Sequence, residues 1–188
     1  MATILFLVFV FVIFKALFSM PKYIRKSNQQ KQYKKAKKQY EARQIEEQKR
    51  LEEHEQHLSA IMAETDAALA YADSLDGHQF EYWCADLLRS NGYSDVDVTP
   101  GSGDQGVDIL AKQGGISYAI QCKHYKGSVG NTPVQEVTAG KAYYNCDVGI
   151  VMTNSRFTDR AYDLAKINGI ILWDREKLKE LIDRIQRK

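Results

Sequence analysis

The sequence predicts an α/β protein. A mixed sheet with helices on both faces, in the order α-β-β-β-α-β-α-β-α, occupies 76–188, preceded by a transmembrane helix over 1–20 and a long charged helix over 21–75. Three observations predict it. Residues 2–14 are apolar and carry no charge. Residues 27–75 contain no Pro and no Gly and are rich in Lys, Gln, Glu and Ala, which favours one long helix. Beyond Asp76-Gly77, short apolar or alternating runs bounded by turn residues are interleaved with stretches of helical periodicity.

The apolar run ATILFLVFVFVIF continues past Lys15 as ALFSM, giving about twenty residues or roughly 30 Å of helix, enough to span a bilayer. Lys15 lies near one end of the run, where its long side chain can reach the headgroups. A cleaved signal peptide is the rival, since thirteen apolar residues is also the length of its hydrophobic region, but no positive charge precedes the run and no A-x-A site follows it. Eight bases, from Lys22 to Lys38, follow the span, so the positive-inside rule places the bulk of the chain in the cytoplasm, at a bacterial inner membrane.

The charged helix has two halves. KQYKKAKKQYEA repeats KQY after seven residues, but Glu47 falls where the next apolar residue is due, so the heptad fails. Further on, Leu58, Ile61, Thr65, Ala68, Ala72 and Leu75 keep a three-four spacing, which suits either a weak coiled-coil seam, and with it a homodimer, or a face packed on the next domain. From Lys15 to Arg50 there are twelve Lys/Arg against three Glu. Next to a span, anionic lipid is the better partner for this charge than nucleic acid, at about 1 kcal/mol per base near the surface.

From His78 to Asn91, Phe80, Cys84, Leu87 and Leu88 recur at helical spacing, and Asn91-Gly92 ends the helix. DVDVT, GVDILAK and SYAIQCKHY then read as consecutive strands of a meander, the last two joined at Gln113-Gly114-Gly115. A helix from Thr132 to Tyr144, the apolar strand DVGIVMT, a helix from Thr158 to Asn168, the short strand IILW and a helix from Glu176 complete the domain. Cys84, Cys122 and Cys146 are odd in number and lack C-x-x-C spacing, which argues against a disulfide framework or structural zinc and fits a reducing compartment. His54, His57, His78 and His124 have no metal-ligand spacing either.

The candidate site lies in GDQGVDILAKQGGISYAIQCKHY. Side chains alternate across a strand, so Gln121 and Lys123 share one face while Cys122 points the other way with Ile120 and Tyr118; Asp108 likewise points opposite to Val107 and Ile109. Two neighbouring strands can thus bring together a carboxylate, an amide oxygen and an ammonium, with the Cys122 backbone carbonyl as a further oxygen. Such oxygens suit Mg²⁺, which needs few protein ligands. A cation of this kind polarises a phosphodiester, and a lysine beside it offsets charge building on phosphorus.

Asp on the second strand and Gln-x-Lys on the third of an α-β-β-β-α-β core is the pattern of the PD-(D/E)xK nucleases. The run FEYWCADLLRSNGY…TPGSGDQGVDI…IQCKHY…VQEVTAGKAYYNCDVGIVMTNSRFT resembles the catalytic domain of Mrr-type (type IV) restriction endonucleases from about Gly77 to Trp173. The resemblance implies a restriction-endonuclease-like fold, a Mg²⁺-dependent endodeoxyribonuclease, Asp108 and Gln121 as metal ligands, Lys123 as the catalytic lysine and Glu81 as an additional acidic member. Asp104 either caps the glycine-rich entry turn or supports the site. Mrr-type enzymes carry a separate domain that reads modified bases, whereas an anchor and a stalk stand here, so specificity for methylated DNA does not transfer.

From Asp76 onward there are fourteen bases against fifteen acids, so DNA affinity must come from local bases such as Lys123, Lys126, Lys141 and Arg156. The sequence therefore reads as a membrane-anchored nuclease acting on cytoplasmic DNA, foreign or modified DNA among its targets. A non-catalytic DNA-binding module on the same fold and a membrane scaffold are the alternatives, the first because an amide binds metal more weakly than the carboxylate common in the wider superfamily.

Overall fold

The computed structural model describes residues 2–101 and 105–187 and divides into two compact units, Met1–Gln56 and His57–Lys188. Helix α1 spans Ala2–Ser74, and its residues up to Gln56 make up the first unit. Phe6, Phe9, Phe11, Phe14 and Phe18 are all exposed there, and by length and composition α1 is long and apolar enough to cross a membrane. Beyond the apolar run, Lys37–Glu41 at 3.8 Å and Lys49–Glu53 at 3.6 Å pair across one helical turn, each worth a few tenths of a kcal/mol to an exposed helix.

The second unit is a five-stranded sheet in the order β1-β2-β3-β4-β5. Its strands are β1 (Ser94–Val98), β2 (Ile109–Gln113), β3 (Ile116–Lys123), β4 (Val148–Thr153) and β5 (Ile170–Trp173). The helices are α2 (Gly77–Ser90), α3 (Thr132–Tyr143), α4 (Asp159–Asn168) and α5 (Arg175–Gln186). β1, β2 and β3 are antiparallel, and β4 and β5 join parallel to β3 through α3 and α4. Asp76-Gly77 begins α2 as a capping box: the Asp76 carboxylate accepts from Gln79 N at 2.8 Å and the Gln79 side chain from Asp76 N at 3.1 Å. The β2–β3 hairpin turns at Gly114 and Gly115, whose φ values of 59° and 84° are the left-handed pair that a two-residue hairpin loop requires.

Each sheet face has its own core. Ile109, Ile120, Cys122, Ile150 and Met152 pack with α2, α5 and the end of α1; Val107, Ala119 and Val151 pack with α3 and α4. The apolar face of α1 is spent in this second unit. Ile61, Thr65, Leu69 and Ala72 are buried, Leu69 and Ala72 within the first core, and the Thr65 hydroxyl donates to Asp183 and to Gln186 Oε1 at 2.9 Å. Of the two uses open to this seam, packing on the domain is the one seen, and a coiled coil along it would have to expose these side chains.

The second strand begins at Ile109, so Asp108 precedes it instead of lying within it. The expected alternation around Asp108 fails: Val107 and Ile109 are buried in different cores. The chain enters β2 through left-handed Gln105 and Gly106, at φ 53° and 76°, and settles into the two-residue pleat only after Asp108.

Candidate active site

Asp108 is held from both sides by backbone. Its N–H donates to Ile120 O at 2.8 Å, its carbonyl accepts from Thr99 N at 2.9 Å, and the Thr99 hydroxyl donates to Val107 O at 2.6 Å. Because Ile109 pairs with Ile120, Asp108 comes to stand beside Gln121. Asp108 Oδ2 accepts from Cys122 N at 2.6 Å and from the Gln121 side-chain amide. That same amide lies 3.4 Å from the Cys122 carbonyl oxygen. Both side chains are almost out of solvent, Asp108 at 7% and Gln121 at 3% exposure. The Asp108 carboxylate, the Gln121 amide and the Cys122 carbonyl therefore do meet at the C-terminal end of β3.

Gln121 Oε1 is buried and has no hydrogen-bond partner among the described residues. An unpaired buried acceptor costs about 1–3 kcal/mol, which calls for an explanation. The Asp108 carboxylate, the Cys122 carbonyl and the Gln121 amide oxygen are oxygen donors of the kind Mg²⁺ takes, but the amide turns its nitrogen toward the other two, so a cation held by all three would require the amide to be reversed. Among the described residues no three His, Cys, Asp or Glu side chains form a metal cluster, so such a site would depend on amide and carbonyl oxygens.

Lys123, the last residue of β3, turns toward α3, where Nζ lies 3.1 Å from Glu136 Oε2. Cys122 turns into the opposite core. There a hydrogen bond with Cys84, burial, and the nearby Cys84, Asp108 and Glu81 push its thiol well above the usual cysteine range, so it stays protonated and packs as core. Glu81 on α2 is thus near enough for its charge to reach this strand end, but its carboxylate is engaged by His78 Nδ1 at 3.0 Å. Asp104 lies outside the described residues.

Lys126 and Arg156 line one cleft of about 520 Å³ with Asn154, Ser155 and Arg175. Lys141 is not brought there. It sits in the last turn of α3, its side chain against Gly149 near the start of β4, whereas Lys123 pairs with Thr153 at that strand's far end. A crossover helix returns the chain to the start of the next parallel strand, so its C-terminal turn is carried away from the site.

Three neighbours were not foreseen from the sequence. Glu136 is the sole acid of α3, at the margin of a face formed by Val134 and Val137. Asn154 ties the strand end to α1 and α5: Oδ1 accepts from Tyr125 N at 2.8 Å, Nδ2 donates to Asp73 at 2.9 Å, and its carbonyl accepts from Arg175 at 3.2 Å. Arg175 also reaches Asp73 at 2.8 Å. Burial opposes the charge on Asp73, but the bonds from Arg175 and Asn154 outweigh it and hold its carboxyl below the usual aspartate range.

Residues 72–182 match the Mrr_cat family, whose description is restriction endonuclease. Among solved structures, the DNA modification-dependent restriction endonuclease AspBHI is similar at 20% identity and a TM-score of 0.52, over 65% of this chain and 35% of that one. MspJI restriction endonuclease, solved in complex with a 27-mer oligonucleotide, gives 20% identity and 0.49 over 68% and 32%. A protein of unknown function, AF1548, gives 20% and 0.47 over 55% and 65%. The chain thus spans less than two thirds of the length of each of these. No curated protein matches it.

Proposed function

The chain belongs to the Mrr_cat restriction endonuclease family, and from that premise we propose that it is a membrane-anchored, Mg²⁺-dependent DNA endonuclease, with modified or foreign DNA among its substrates. The observation that supports the reading is that Asp108 meets Gln121 and the Cys122 backbone near the end of β3, the strand that closes on Lys123, with a buried amide oxygen left unpaired. Asp108, Gln121 Oε1 and the Cys122 carbonyl would hold the cation, which when bound supplies positive charge to the scissile phosphate and a more acidic water. Lys123, two residues beyond Gln121 on the same strand, would bring its ammonium to the phosphate, orienting the attacking water and offsetting the charge that grows on the phosphate oxygens. Lys126 and Arg156, which line a cleft that also holds Asp174 and Glu176, would take flanking backbone phosphates. Water adds to phosphorus, one P–O ester bond breaks, and the strand is left with a phosphate and a hydroxyl end.

The apolar start of α1 supports the anchor, and the bases that follow it support a cytoplasmic nuclease domain lying near anionic lipid. A reporter active only in the cytoplasm, fused at the C-terminus in a bacterial host, should be active, and one active only in the periplasm silent. The reverse would remove the anchor as drawn. The nuclease itself is tested by incubating the full chain in detergent with duplex DNAs of differing modification state. Cleavage with Mg²⁺ and none with EDTA is expected. Binding without cleavage on every DNA would favour the second reading, a non-catalytic DNA-binding module, which the amide in a ligand position keeps open.

A further inference from the structure

Lys123 ends its strand, so no further ladder residue restrains its flexible four-carbon stem. What meets its ammonium is Glu136, at 3.1 Å. This differs from an ordinary surface pair in two respects. Glu136 Oε2 is sealed from solvent and has no aligned hydrogen bond among the described residues, so its partner is the lysine charge. The backbone that carries Glu136 is also locked against the loop leading to Asp108: a Cβ on Gly106 would fall 2.6 Å from Glu136 Cβ and 2.9 Å from its carbonyl carbon, and one on Gly140 would fall 2.7 Å from Gln105 O. With Val134 and Val137 fully buried on either side, α3 fixes the carboxylate relative to both halves of the site.

We propose that Glu136 is the positioning residue of this site: its carboxylate holds the Lys123 ammonium at the strand end where Asp108 and Gln121 meet, and it acts on cleavage through Lys123. The inference deepens the nuclease reading and rests on it for its catalytic consequence, but the hold on Lys123 can be observed without any cleavage.

The test uses the full chain in detergent and has two arms. In the first, with EDTA present, the protein is treated with a limiting amount of an amine-reactive ester and the Lys123 peptide is quantified by mass spectrometry. Glu136→Gln should raise labelling of Lys123 about threefold or more, as expected when a charge partner is removed from a flexible amine, with Lys141 and Lys166 unchanged. Equal labelling of Lys123 in both proteins would overturn the proposal. In the second, single-turnover cleavage should fall about tenfold or more in Glu136→Gln, with DNA affinity within about twofold, because the loss is felt mainly in the transition state. Glu136→Asp should recover part of the rate. In a Lys123→Ala background, Glu136→Gln should have no further effect, whereas an equal loss in both backgrounds would show that Glu136 acts on the fold or the DNA and not through Lys123. If the wild type cleaves nothing, the nuclease reading fails, and the labelling arm alone decides whether Glu136 holds Lys123.

Discussion

Two polar clusters stand at the C-terminal ends of β3 and β4, and they differ in how completely their groups are paired. Around Asn154 pairing is extensive: its amide oxygen, amide nitrogen and carbonyl are engaged by Tyr125, Asp73 and Arg175, and Asp73 takes a second bond from Arg175. Around Asp108 it is not, since among the described residues Gln121 Oε1 is buried without a partner and Glu136 Oε2 has the Lys123 charge but no aligned hydrogen bond. A saturated network spends its bonding capacity on joining α1, β4 and α5. An unsaturated one keeps capacity for something that is not protein. We read the first as a device of stability and propose the second as a device of chemistry.

The comparison breaks most visibly at Asp108. Asp108→Asn keeps an acceptor for Cys122 N but removes the charge, so cleavage should fall to background while stability changes by no more than about 1 kcal/mol. Asp108→Ala should add a stability loss of about 1–3 kcal/mol, because the buried Cys122 N–H is left unpaired. A loss of that size already in Asp108→Asn, with cleavage retained, would make this cluster structural too. At the other cluster the pattern should invert. Asn154→Ala should cost about 1–3 kcal/mol in denaturant unfolding, with the cleavage rate per folded molecule changed less than about threefold, since no transition-state contact is lost.

The smallest effect is a pH dependence. The folded-state pKa of Asp73 lies below its unfolded value, so its contribution to stability is present above the usual aspartate range and is lost as pH falls through the folded value. Asp73→Asn should therefore melt below the wild type at neutral pH by a few degrees at most, an exposed pair being worth about 0–1 kcal/mol, and the two curves should converge in acid. Curves that stay parallel would remove the Arg175 pair as their cause.

The element order was legible because period-two and period-3.6 patterns are local, and the placing of Asp108 beside Gln121 was legible because a two-residue turn sets the register of β2 on β3. The side of Asp108 was misjudged because alternation is a property of a formed ladder, and the left-handed turn at Gln105-Gly106 delivers Val107 to the core opposite that of Ile109. Lys141 and Glu136 illustrate one further limit. Both are charged residues on the same helix, and only its packing decides that Glu136 faces the site while Lys141 is carried to the other end of β4. A sole acid on the flank of an apolar helix face, one helix beyond the candidate lysine, was the available signal. For the seam on α1, the spacing itself could not separate packing on the domain from pairing between chains.

The central claim, that the unsaturated cluster performs phosphodiester hydrolysis, is tested most directly by Lys123→Ala in single-turnover cleavage measured together with DNA affinity. The account predicts a rate lowered about a hundredfold or more, because the ammonium acts on charge that exists only in the transition state. Affinity should weaken modestly, with the salt slope reduced by about one unit, as for the loss of one phosphate contact. A wild-type chain that binds DNA without Mg²⁺-dependent cleavage, and a Lys123→Ala variant that changes affinity alone, would contradict it.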